Sequence, residues 1–183
     1  MVINWDENVY IYEYQNDTMK MKREEEGRQM KIVIGNDHGG IFLKEELLLV
    51  LAELDQEVEI EDIGCHTCES VDYPDYAVTV ARKVAGGEAD RGILICGTGI
   101  GMSIAANKVP GIRCALVHDV FSAKATREHN DSNILAMGER VIGPGLAGEI
   151  VRVWLETEFT GGRHKQRIDK IAEFEHSASA LQE

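Results

Sequence analysis

From residue 31 onward the chain alternates short β-branched, apolar runs with stretches of helical periodicity. The runs at 31–35, 57–60, 92–96, 113–117 and 133–137 read as strands, each closed by glycine or polar residues. Between the first two, Leu43, Leu47, Val50 and Leu54 recur at spacings of 4, 3 and 4, with Lys44, Glu45, Glu46 and Glu53 on the other face. That pattern predicts an amphipathic helix packed on a sheet. Further helices are predicted over 76–85, 101–108, 121–128, 146–158 and 165–177. Strand and helix in strict alternation is the signature of a parallel sheet, so the expected fold is α/β: a three-layer α/β/α domain with a five-stranded parallel Rossmann-like sheet.

Composition sets the outer limits. At 183 residues, with 44% hydrophobic and 28% charged positions, the chain has room for one ordinary core and no second full domain. Residues 1–29 stand apart, with an aromatic patch at 9–14, a charged run at 20–28, and Met30 immediately before the first strand. They read either as an N-terminal extension to a domain spanning 30–183 or as an extra edge strand, because Val9-Tyr-Ile-Tyr-Glu-Tyr14 has strand-like composition. The net charge of -13 argues against nucleic-acid and anionic-membrane partners and requires any anionic substrate to meet a local basic cluster. No long apolar span is present, and acids stand at the N-terminus where a secretory leader carries bases. Four cysteines in a chain able to build its own core suggest free thiols, so a cytoplasmic location is expected.

Ligands of open parallel sheets bind beyond the carboxyl ends of the strands. Chemistry-bearing residues fall there: Asp37-His38, the loop Cys96-Gly-Thr-Gly-Ile-Gly101, and His118-Asp119. In the central loop Gly97, Gly99 and Gly101 alternate with Thr98 and Ile100, which lets backbone amides turn inward around an anion; a mere tight turn is the alternative. The loop is not Gly-x-Gly-x-x-Gly, because its third glycine comes one residue early, and no Gly-Lys-Ser/Thr follows for a Walker loop. A Cys-x5-Arg phosphatase loop would need arginine at Met102. A thiol facing amides remains, either activated by the adjoining helix start or inert at the end of a buried strand. His66, between Cys65 and Cys68, lacks the second pair that a zinc site requires and reads better as a surface loop. The basic run 163–170 is either a solvated helix start or an anion anchor, and it is the densest positive cluster after residue 30.

Taken together, Asp37-His38-Gly39, Asp72-Tyr73-Pro74, Gly92-Ile-Leu-Ile-Cys-Gly-Thr-Gly-Ile-Gly101, Ala105-Ala-Asn-Lys108, Arg127-Glu-His-Asn-Asp131 and Gly161-Gly-Arg-His-Lys-Gln-Arg167 closely resemble the ribose 5-phosphate isomerase type B family. The resemblance covers residues 30 to about 175, and residues 1–29 have no counterpart in it. The superfamily also contains isomerases of other sugar phosphates, so the likeness speaks to reaction type more than to substrate. One branch of the family carries its base as a glutamate at the position of Met102; this chain has the cysteine of the other branch.

The resemblance implies an aldose/ketose isomerase that needs neither metal nor cofactor and works on a small phosphorylated sugar. Cys96 would be the carbon-acid base, His129 the ring-opening acid and base, and Thr98 with the amides of Gly97, Gly99, Ile100 and Gly101 the cradle for the enediolate. Asp37 would bind sugar hydroxyls, with His38, Arg163 and Arg167 holding the phosphate and Asn130 and Arg140 making further contacts. Tyr73 would pack beside the sugar, although it could equally belong to a turn. A homodimer or homotetramer with shared active sites is implied. A non-catalytic sugar-phosphate-binding subunit is the rival reading, which the joint presence of Cys96 and His129 disfavours.

Overall fold

A computed structural model describes residues 29–54 and 58–180. Its elements run β1 (Met30–Asn36), α1 (Ile41–Ala52), β2 (Val58–Asp62), α2 (Tyr73–Ala85), β3 (Arg91–Cys96), α3 (Ile100–Ala106), β4 (Cys114–Leu116), α4 (Val120–Asn130), β5 (Ile134–Gly138), α5 (Pro144–Glu156) and α6 (Arg163–Ala180). The strands form one parallel sheet in the order β2-β1-β3-β5-β4. All five predicted strands are present. Glu57 of the second, and the proposed extension up to residue 28, lie outside the described residues.

The sheet is covered on both faces, which is why its strands read as continuous apolar runs. Side chains alternate across it: Ile32, Ile34, Ile93, Ile95, Leu135 and Met137 pack with α1, α4 and α5 on one face. Val33, Leu94, Cys96, Ile134 and Ala136 pack with α2 and α3 on the other. Trp154, fully buried, anchors the first layer, and its indole N–H donates to Ser132 Oγ at 2.8 Å. Helix α2 begins three residues ahead of its predicted start because Asp72 stands at its N-cap and Pro74 fits the first turn.

One assignment is corrected. Lys44 is not on the solvent face of α1 but only 2% exposed. Its ammonium reaches past the helix to Asp62 Oδ2 at 2.9 Å, with the Cys65 carbonyl and His66 Nδ1 at 3.4 and 3.3 Å. A charge can be buried there because acceptors surround it. The core side of α1 is accordingly Ile41, Leu43, Leu47 and Leu51, with Leu54 only partly buried and packed at its edge.

Candidate active site

The chain leaves β1 toward β2 on one side and, later, lays β3 on the other, so the strand order reverses between β1 and β3. In open parallel sheets ligands bind at such a switch point, beyond the carboxyl ends of the two strands. Asp37 follows one strand and Cys96 ends the other. Asp37 is buried, and its Oδ1 accepts from the Gly39 amide at 2.8 Å. A Cβ on Gly39 would stand 3.2 Å from the Gly97 nitrogen, so the turn after β1 lies directly against the cysteine loop.

The thiol of Cys96 is 6% exposed, and its Sγ accepts from the Gly99 amide at 3.0 Å. Gly99 holds that amide in place with φ 76°, at a point where even a methyl group would come within 2.8 Å of the Met137 backbone. The Ile100 amide meets Thr98 Oγ1 at 3.3 Å. Two of the four loop amides assigned to the enediolate, those of Gly99 and Ile100, are therefore directed within the loop, one of them at the sulfur.

The surrounding residues converge on the same loop. Glu139 and Arg140 donate their amides to the carbonyls of Cys96 and Gly97 at 2.9 and 3.1 Å. The Arg140 side chain lies over Gly97, where an added Cβ would be 3.4 Å from its guanidinium carbon. The Tyr73 ring occupies the space a Cβ on Gly101 would take, 2.7 Å away. His38 Nδ1 faces the Val71 amide at 3.2 Å. Because an amide can only donate, Nδ1 is the acceptor and the ring proton sits on Nε2.

His129, Asn130, Arg163 and Arg167 are not among these groups. Parallel topology returns α4 to the amino ends of the strands: the Asn133 amide bonds to Arg113 O, and the Gly92 amide to Asn133 O. Cys96 is the last residue of β3, so roughly 16 Å of strand separates its level from that edge. There the end of α4 is locked in place. Arg127, buried, binds Asp131 Oδ1 at 2.7 Å and Ser132 O at 2.8 Å, while Arg113 binds Asp131 Oδ2 at 3.0 Å. Thr160 donates its amide and hydroxyl to Glu128 O, and the imidazole of His164 stacks on His129 with centroids 4.3 Å apart. The residues expected at one site therefore fall into two groups at opposite ends of the sheet.

Sequence reasoning passed over Arg127, Asp131 and His164, although all three stand within motifs already quoted; the i, i+4 spacing of Arg127 and Asp131 was the available signal. His118-Asp119 proves structural in its acid: Asp119 caps α4, accepting from the Ser122 amide and hydroxyl at 2.8 Å each.

Fold and site together define a parallel α/β protein that presents a thiol and a nest of amides at its switch point, with a histidine-arginine cluster at the opposite edge. Residues 32–171 match the Ribose/Galactose Isomerase family, and the chain belongs to it. It is 51% identical over 145 residues to ribose-5-phosphate isomerase B of Escherichia coli, covering 79% of this chain and 96% of that one. It is 44% identical over 148 residues to a D-erythrulose-4-phosphate isomerase of Pectobacterium atrosepticum, covering 80% and 96%. The solved ribose-5-phosphate isomerase B of Clostridium thermocellum superposes with a TM-score of 0.79 at 56% identity, over 81% of this chain and 99% of that one.

Proposed function

We propose that the protein interconverts ribose 5-phosphate and ribulose 5-phosphate through an enediolate, in the cytoplasm, as a homodimer or larger assembly whose sites join one half-site from each of two copies. The carrying observation is the Cys96 sulfur, held by the Gly99 amide beside Asp37 at the switch point. Cys96 as thiolate takes the C2 proton of the open aldose. The C2–H pair forms the C1–C2 double bond and the C1 carbonyl pair moves onto O1; the O2 proton passes to O1, and as the thiol returns its proton to C1 the O2 pair forms the carbonyl at C2. Thr98 and the amides of Gly97 and Gly101 bear the oxyanion. Asp37, Tyr73 and Arg140 contact the sugar, while His38 donates Nε2–H toward the phosphate.

From the second copy, His129 moves a proton to the ring oxygen and accepts one from the anomeric hydroxyl, which opens the furanose. Asn130 assists, and Arg163 and Arg167 hold the phosphate. Mixing inactive Cys96→Ala and His129→Asn proteins tests this arrangement. Random assortment makes half the dimers mixed, each with one intact site, so about a quarter of wild-type activity returns if sites are shared and none if they are not. A four-carbon substrate is the second reading, favoured by the likeness to the D-erythrulose-4-phosphate isomerase. Comparing kcat/KM for ribose 5-phosphate and erythrulose 4-phosphate decides between them, and activity on neither would end the enzyme reading.

A further inference from the structure

His164 opens the first turn of α6 and is partly buried against the end of α4, with its ring 6° from parallel to that of His129. Two successive left-handed glycines, Gly161 at φ 64° and Gly162 at φ 56°, turn the chain so that Thr160 is tied to Glu128 and His164 lands on its partner. The Arg163 Nε–H donates to His164 Nε2 at 3.4 Å, which places the His164 proton on Nδ1 and leaves the ring neutral.

The charged groups facing His164 are His129 and Glu128 from α4, with Arg163 and Arg167 from its own helix. Partial burial, then the positive charges of His129, Arg163 and Arg167, hold it below the ordinary imidazole value, with Glu128 opposing. A neutral ring is the right neighbour for a residue that must gain and lose a proton in each cycle. It does not repel the imidazolium as a second cation would, and its π face attracts positive charge.

On the reading that His129 opens the sugar ring, we propose that His164 is its positioning residue: the stacked imidazole fixes the plane of His129 and, through Arg163, couples that plane to the phosphate anchor. His164 itself need not touch substrate. The consequence is specific to the furanose. Ribulose 5-phosphate has no free C5 hydroxyl with which to close a furanose, so its turnover needs Cys96 but no ring opening.

The test uses the full-length assembly and measures kcat and KM for ribose 5-phosphate and for ribulose 5-phosphate in His164→Ala, His164→Phe and His129→Asn proteins. His164→Ala should lower kcat for ribose 5-phosphate about tenfold, the scale of a lost stacked aromatic contact. Its kcat for ribulose 5-phosphate should stay within about twofold, since Cys96 is untouched. His164→Phe, which restores a flat face without a ring nitrogen, should recover most of the loss. Equal losses on both sugars, no loss on either, or a phenylalanine variant as poor as alanine would each overturn the proposal. His129→Asn separates this from the underlying reading: if it too spares the furanose, ring opening by His129 falls; if it is furanose-selective while His164→Ala is not, only the role of His164 falls.

Discussion

Replacing Gly99 with alanine probes the contact made to the Cys96 sulfur, the proposed base. The residue sits at φ 76°, and an ideal Cβ there would lie 2.6 Å from Leu116 Cδ1 and 2.8 and 2.9 Å from the carbonyl carbon and oxygen of Met137. The leucine can swing aside, but Met137 belongs to a strand paired on both sides. A left-handed alanine costs roughly 1–2 kcal/mol and crowding of a packed site roughly 1–3, so a destabilisation of about 2–5 kcal/mol is expected. Relief comes only by moving Gly99 off the strand, which draws its amide away from Cys96 Sγ. A hydrogen bond to a charged acceptor contributes about 1.5–3 kcal/mol, so kcat should fall roughly ten- to hundredfold with KM little changed. Denaturant unfolding and steady-state isomerase kinetics measure the two effects. Gly87→Ala is the control, because Gly87 has φ 72° but nothing within 4 Å of an added Cβ. The reasoning fails if Gly99→Ala unfolds no more easily than the control, or if its kcat is unchanged.

Three further outcomes follow from other parts of the molecule. Lys44→Met removes the cation that Asp62 faces at 2.9 Å; since Asp62 is 22% exposed and can regain water, the loss should be about 2–3 kcal/mol rather than that of a fully buried pair. Its urea midpoint should drop by about 1 M, and an unchanged midpoint would contradict the ion pair. Burial pushes the Cys114 thiol up to about 12, whereas Cys68 is exposed, so iodoacetamide at about pH 8 should label Cys68 quickly and leave Cys114 unmodified, as peptide mapping would show. The Ser122 amide and hydroxyl hold the Asp119 carboxyl below its ordinary value, so the stability it adds is present above about pH 4 and is lost as pH falls through the lowered folded value. Asp119→Asn, which still caps the helix, should flatten that acid loss, and an identical acid unfolding curve would count against it.

The strands were legible because both faces of the sheet are buried, which leaves apolar runs that no helix period explains. The loop's place was legible for a related reason: glycines alternate beside Cys96 at a strand end, and Gly99 takes a left-handed φ of 76° there. Lys44 was not, because a helical wheel sees only its own helix, and the partner that justifies burial lies on β2. Nor could residue order reveal that Cys96 and His129 occupy opposite edges of one subunit. That follows from α4 running back along the sheet, which sets the two groups of residues at opposite ends. His164 was hidden inside a basic run whose charge drew attention to its arginines, and only the ring geometry against His129 sets it apart.

The central claim is that the Cys96 sulfur removes the C2 proton. The most direct measurement is deuterium incorporation at C2 of ribose 5-phosphate in heavy water by wild type and Cys96→Ala, with inorganic phosphate binding measured in both proteins. The account predicts rapid exchange by the wild type, none above the solution background in the variant, and phosphate affinity preserved. Exchange retained by Cys96→Ala would mean that another group is the base and that the thiol is only the end of a strand.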